Sequence, residues 1–252
     1  YGSTRAGDLP QRRDMLIEDR ALSRYVDGIG ARLDRQRPRG APPLRTFVVK
    51  DARVNAFTTG GGYVFATAGL LGAMENEAQF AFVMAHEIAH IDRGHVTQGR
   101  RQRETASGLA AIGAIAAAAA GLPPELARMG AGLGAQAAIA DFSREQEAEA
   151  DTVGMRYLAG AGWNGLEGAE SFAVLRRLYG EAPGGLSAWF ASHPAAADRQ
   201  ARLARLAREQ GATSGRVAAR EYLSATEGLR RELLALYRGE GRQAEARQMR
   251  RN

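Results

Sequence analysis

The chain has 252 residues, 45% hydrophobic and 25% charged, a globular balance that excludes disordered, collagen-like and low-complexity classes. It contains no cysteine. This excludes disulfide scaffolds, thiol nucleophiles, iron–sulfur clusters and Cys-ligated zinc, so any metal must rest on histidines and carboxylates. The net charge of +6, carried almost entirely by arginine with Lys50 the only lysine, favours anionic surfaces in general and identifies none.

The chain opens Tyr1-Gly2-Ser3-Thr4 without an initiator Met or an apolar signal-type run, so a targeting segment, if one is encoded, is expected to have been cut away. Apolar residues at helical spacing over Met15–Leu33 predict a first helix, broken by Pro38, Gly40, Pro42 and Pro43. Leu44–Lys50, Val54–Thr59 and Tyr63–Thr67 are β-branched and aromatic runs. They predict a small sheet of three or four strands, with Gly60-Gly61-Gly62 turning a hairpin. From Glu75 onward the pattern is helical: Glu75 to about Gln98, an Ala-rich pair, Ser143–Ala159, Leu166–Tyr179, Ala195–Glu209 and Arg220 onward. Gly160, Gly162, Gly180 and Gly211 stand at plausible helix stops. The Ala-rich run Ala106–Leu122, stopped by Pro123-Pro124, is slightly short of the roughly 20 apolar residues of a spanning helix. It reads as a small-residue helix packed on neighbours or, with Glu125–Asp141, as a hairpin touching a bilayer or gating a cleft. The fold class expected is α+β, predominantly helical, with a small sheet. Residues 1–210 form the main domain with 106–141 inserted, and 211–252 form a C-terminal helical extension that could begin a helical-repeat region.

Two of the four histidines lie in His86-Glu87-Ile88-Ala89-His90, inside the apolar stretch Phe80–Ala85. Residues four apart share a helix face, so both imidazoles can reach one tetrahedral zinc, while Glu87, about 100° round the helix, can approach a water at the metal. The competing reading, two histidines four apart by chance, leaves two imidazoles and a carboxylate in an apolar run with no compensating partner. Zinc held by two histidines needs a third protein ligand and one open position. His95, nine residues past His86, falls about half a turn out of phase if the helix continues. It is therefore read as a helix-end residue or one placed behind a ligand.

The acidic candidates cluster over Ser143–Asp151, where Ser143 and Gln146 make a capping box. Glu145, Glu149, Thr152 and Arg156 form a polar stripe suited to solvent. Glu147, Asp151, Gly154 and Leu158 form an inward one whose glycine permits close approach of a facing helix. This periodicity favours Glu147 as the third ligand, with Glu149 as the alternative and a merely solvated acidic helix start as the third possibility.

HEIAHIDRGH, then SREQEAEADTVGMRYLAGAGW, then SHPAAADR, preceded by VNAFTTGGGYVFATAGLL, resembles in order and content metallopeptidase family 48. These are gluzincins of the CaaX prenyl protease, HtpX and BepA type, and the likeness covers roughly Arg20–Arg205. The resemblance implies a zincin-like metallopeptidase domain with an HExxH active-site helix, one zinc ion, and a third ligand at the first Glu of ExxxD. Only Glu147 with Asp151 satisfies both that motif and the inward stripe. It further implies that Asp151 orients a ligand histidine, and that His193 and Arg199 of the HPxxxxR element lie near the zinc. There His193 assists the transition state or fills the open metal position and keeps the enzyme latent. The family usually has a proline where Gly60-Gly61-Gly62 stands here.

The mechanism expected is amide hydrolysis by zinc on His86, His90 and Glu147, with Glu87 as general base. Substrate is expected to add as a strand beside Val54–Thr59, touching Asn55 and Ala56, which tolerates many side chains. The expected function is therefore a zinc endopeptidase of unfolded or membrane-associated proteins, with membrane or outer-membrane protein contacts and, from the family, a periplasmic or peripheral location in the bacterial envelope. Two other classes compete. One is a latent zinc-bound chaperone or binding module. The other is an anionic lipid or nucleic-acid binder using Arg199, Arg202, Arg205 and Arg208, although no aromatic residues interleave with these arginines and nucleic acid is not the expected partner.

Overall fold

A computed structural model describes residues 15–99, 142–179, 193 and 198–250. Helix α1, Arg20–Asp34, starts where the Asp19 carboxylate accepts hydrogen bonds from the Ala21 and Leu22 amides at 2.8 and 3.0 Å, and it buries Leu22, Val26, Ile29 and Leu33. The sequence pattern placed this start at Met15, but Leu16 instead forms an antiparallel bridge with Val49. The Ile17 amide donates to Val48 O and the Lys50 amide to Met15 O. The apolar side chains of Met15 and Leu16 join an aromatic cluster on one face of the sheet, which outweighs one more turn of uncapped helix.

Strands β1 (Arg45–Val49), β2 (Ala56–Gly60) and β3 (Tyr63–Thr67) form one sheet in the order β1-β3-β2. The expected glycine hairpin joins β2 and β3 antiparallel, with a register irregularity between Thr58 and Gly60. Gly60, Gly61 and Gly62 all have positive φ, and a Cβ on Gly62 would lie 2.2 Å from Pro43 O, so the turn requires glycine. β1 runs parallel to β3, reaching it from α1 through the proline-rich connection. Phe47, Phe57 and Phe65 stack on one sheet face, with centroids 5.3 and 5.0 Å apart. Ala56, Val64 and Ala66 face the main core, as the period of two demands.

Thr67 caps the short α2 (Ala68–Ala73), and the Asn76 side chain caps α3 (Glu77–Asp92) by accepting from the Gln79 amide at 3.0 Å. Every residue of α3 from Glu77 to His90 is buried, the mark of a helix enclosed on all sides. Its far end is held by Asp92, which accepts from the Arg37 guanidinium and the Tyr157 hydroxyl. The helix stops there, short of the expected Gln98, because Gly94 turns the chain with φ 71°. Residues 95–99 then resume as helix.

Helix α4, Arg144–Gly160, begins with the capping box of Ser143 and Gln146. It crosses α3 closely at Gly154, where a Cβ would lie 3.0 Å from His86 N and 3.1 Å from its Cα. Helices α5 (Gly165–Tyr179), α6 (Arg199–Glu209), α7 (Ala219–Gly239) and α8 (Gln243–Gln248) follow. α7 contributes Tyr222, Leu233 and Tyr237 to the same core as α1 and α3. The Tyr222 hydroxyl donates to Leu71 O at 2.7 Å, and the buried Arg230 donates to Gly72 O at 2.6 Å. Among the described residues, no helix is long and apolar enough to cross a membrane. The Ala106–Leu122 run and the start of the helix expected from Ala195 lie outside them.

Candidate metal centre

Helix α3 carries His86, Glu87 and His90; α4 brings Glu147 and Asp151 against it; His193 reaches the same point from the segment before α6, which supplies Arg199. His86 Nε2 lies 3.0 Å from His90 Nε2, and His193 Nδ1 lies 3.2 Å from His86 Nε2 and 2.8 Å from Glu147 Oε1. Glu147 Oε1 lies 3.2 Å from His90 Nε2. One ligand atom from each of these four residues falls within 4.8 Å of all the others, and all four residues are buried. Ligands about 2.0–2.1 Å from a tetrahedral zinc stand roughly 3.3 Å apart, so the donor set fits that ion in both chemistry and spacing.

The protonation pattern agrees with a cation site. Asp151 Oδ1 lies 2.9 Å from His86 Nδ1. A carboxylate only accepts, so the His86 proton belongs on Nδ1, and the Nε2 lone pair faces the cluster. Burial drives His90 down to about 2, more than Glu147's hydrogen bond can offset, and its neighbours His86 and His193 lower it further. It is therefore a neutral imidazole, the form that binds metal. Burial alone would raise Glu147, but His86, His193 and His90 around it hold the carboxyl far below the usual range.

Asp151 is fully buried, which would raise its pKa, yet Arg199 and the His86 hydrogen bond hold it at about 2. Arg199 donates from Nε and Nη2 to both Asp151 oxygens, at 2.9 and 2.7 Å, and its Nη1 pairs with Glu147 Oε2 at 2.7 Å. The same guanidinium lies over the Phe172 ring, 4.4 Å from its centroid. Arg202 Nη2 adds a third contact to Asp151 at 2.5 Å. The arginine stripe of α6 therefore does not form a continuous basic surface. Arg199 is buried and Arg202 turns inward, while Arg205 pairs with Glu209 at 3.6 Å.

His193 also links the cluster to Glu87, with Nε2 3.2 Å from Glu87 Oε1. Burial would depress this imidazole, but Glu87 and Glu147 outweigh it and raise its pKa. Asn55 and Ala56 stand apart from the cluster in their hydrogen bonding. The Asn55 amide donates to Thr67 Oγ1 and its carbonyl accepts from the Thr67 amide, both at 3.0 Å, while Ala56 pairs in register with Ala66.

Sequence reasoning placed Arg202, one turn beyond Arg199 on α6, only in the basic stripe, and missed Phe142, whose ring stacks on His90 at 3.9 Å. It read Glu149 as a solvent-stripe residue or as the alternative ligand. Glu149 is instead engaged by His95 at 3.0 Å and by Arg93. His95 is buried against His90, in keeping with the second of its two sequence readings, a place behind a candidate ligand, and Gly94 makes the fold-back.

A buried helix bearing HExxH, crossed at a glycine by a helix bearing ExxxD, places the chain among the zincin-type metallopeptidases. Residues 20–207 match peptidase family M48, and the chain belongs to that family of zinc metallopeptidases. It is similar to the putative beta-barrel assembly-enhancing protease of Vibrio cholerae, 34% identical over 171 residues that cover 65% of this chain and 35% of that protein. The beta-barrel assembly-enhancing protease of Escherichia coli is 29% identical over 59% of this chain and 31% of its own length. Metalloprotease LoiP of Escherichia coli is 34% identical over 62% of this chain and 58% of its own. The chain thus spans about a third of the first two relatives.

Proposed function

We propose that this chain is a zinc-dependent endopeptidase acting on extended segments of unfolded or membrane-associated proteins in the bacterial envelope, among them outer-membrane β-barrel proteins in assembly. The observation that carries the reading is the convergence of His86, His90 and Glu147 on one point beside Glu87. The substrate class and location rest on what the relatives are named for.

In this reading His86, His90 and Glu147 hold zinc, which when bound acidifies water and polarises a scissile carbonyl. Glu87 accepts the proton of the attacking water and delivers it to the leaving amine. Asp151 fixes the His86 ring, and Arg199 neutralises the two carboxylates that flank that ring. β2 ends the described sheet, and alternation along the antiparallel ladder directs the Asn55 backbone to β3 and the Ala56 amide and carbonyl, buried in this structure, away from it. An extended peptide pairs there with Ala56. Asn55 Oδ1 is buried without a hydrogen-bond partner among the described residues and serves as an acceptor for the substrate.

A second, latent state is favoured by one observation: His193 touches His86, Glu147 and Glu87 at once. With His193 as a fourth ligand no position is left for water, whereas a catalytic zinc site keeps one open. We infer that His193 self-inhibits the resting enzyme. Cleavage of casein by the zinc-loaded chain and two variants tests both statements. Glu87→Gln is expected to lose about 10²–10⁴-fold in rate, and His193→Ala to exceed wild type. Casein turnover unaffected in Glu87→Gln would rule out the general-base assignment. A His193→Ala rate at or below wild type would rule out the latch.

A further inference from the structure

The two histidines of α3 have their outer ring nitrogens held by different neighbours. Behind His86 stands a carboxylate, Asp151. Behind His90 stands another imidazole: His90 Nδ1 and His95 Nδ1 lie 3.0 Å apart, and His95 Nε2 lies 3.0 Å from Glu149 Oε2. Arg93 closes on the other Glu149 oxygen. His95 is buried, and Glu149 keeps 38% of its side-chain surface exposed.

With both imidazoles neutral, one arrangement of protons satisfies this line of groups. The Glu149 carboxylate only accepts, so the His95 proton sits on Nε2 and donates to it. A neutral imidazole carries one N–H, which makes His95 Nδ1 an acceptor. His90 Nδ1 must then be the donor, and the His90 lone pair is on Nε2, the atom facing His86 and Glu147. Hydrogen bonds that start at a surface carboxylate end by deciding which nitrogen of His90 meets a metal.

The local structure is built to hold this line. Gly94, at φ 71°, reverses the chain immediately after α3 and returns His95 to His90. The 95–99 segment then passes along the start of α4, where Gln146 Nε2 donates to Gln98 Oε1 at 3.1 Å. Phe142 stacks on the His90 ring.

We propose that His95 and Glu149 are a positioning pair, anchored by Arg93, that locks the Nδ1–H tautomer and the ring orientation of His90 and so raises the affinity of the site for zinc. The proposal rests on the reading of His86, His90 and Glu147 as ligands. Neither residue touches the reacting atoms; both act through His90. Partners of this kind behind a ligand histidine typically contribute about 10–100-fold to metal affinity.

The test is zinc affinity of the full chain, measured by competition with a chromogenic chelator, alongside ¹⁵N spectra of its histidine rings. His95→Phe keeps ring volume and removes the acceptor, and is expected to weaken zinc about 10–100-fold. His95→Gln, whose side-chain carbonyl can accept from His90, is expected to recover most of that loss. Glu149→Ala, at a partly exposed position that does not threaten folding, is expected to weaken zinc several-fold without changing the melting temperature of the metal-free chain. The spectra are expected to show His95 protonated on Nε2 and His90 on Nδ1. Wild-type affinity in both His95→Phe and Glu149→Ala, or a His95 protonated on Nδ1, would overturn the proposal. His90→Ala is the control for the underlying reading: zinc binding unaffected there brings down the ligand assignment itself.

Discussion

Behind His86 the supporting carboxylate, Asp151, is fully buried and held by two guanidiniums. Behind His90 the support runs through His95 to a carboxylate with 38% of its surface exposed. The same task, orienting an imidazole, is thus done once with charge sealed in the core and once with a line of hydrogen bonds reaching the surface. Buried ion clusters are costly to break because removing one member strands the others without solvent. A surface carboxylate can be removed and replaced by water. The comparison therefore separates the two sides: damage behind His86 unfolds the protein, while damage behind His90 loosens the metal and leaves the fold intact.

The strongest way to break this contrast is Asp151→Ala, which leaves Arg199 buried with half its partners gone. Urea denaturation is expected to show a loss of about 3–5 kcal/mol, and a loss below about 1 kcal/mol would erase the distinction. Next is the crossing of α3 and α4. Gly154→Val forces side-chain atoms against the His86 backbone, 3.0 Å from where a Cβ would sit. It should lower stability by about 1–3 kcal/mol and weaken zinc as the two helices separate. A fully stable Gly154→Val with normal zinc binding would mean that the close approach is dispensable.

Glu77, at the start of α3, is another buried carboxylate and a control away from the metal centre. Burial would raise its pKa, but hydrogen bonds from Arg216, Tyr25 and Trp163 prevail and lower it. A carboxylate whose folded pKa is depressed stabilises the fold above its unfolded pKa, and that contribution is lost as pH falls through the folded value. Wild type should accordingly lose stability below about pH 4.3. Glu77→Gln should be less stable at pH 7 and show a shallower acid slope; parallel slopes for the two chains would contradict this. The smallest expected stability effect is that of Glu149→Ala, within about 0.5 kcal/mol in the same urea measurement. A loss as large as that of Asp151→Ala would make the two sides equivalent.

What was legible in the sequence was local. The spacing of His86 and His90 puts both rings on one face. The stripe of Glu147, Asp151 and Gly154 identified the side of α4 that meets α3, and the three glycines after Thr59 marked the hairpin. Each rests on helical or strand periodicity or on turn chemistry, all contained in a few residues. The parallel pairing of β1 with β3 and the contact of Arg202 with Asp151, 51 residues apart, carry no such local signature. The boundary of α1 was misplaced because Met15 and Leu16 are apolar whether they line a helix or cover a sheet. The sequence offered His95 either as a helix-end residue or as one behind a ligand, and the choice turned on whether α3 continues: Gly94 ends it, and residues out of phase on a helix become neighbours across a turn.

The measurement that bears most directly on the account is the zinc content and affinity of the wild-type, Glu147→Ala and Glu149→Ala chains, determined side by side. The account predicts one zinc ion per chain in wild type, loss of tight binding in Glu147→Ala, and a several-fold weaker but intact site in Glu149→Ala. Tight binding retained in Glu147→Ala and lost in Glu149→Ala would exchange the ligand and its support, and would contradict the account.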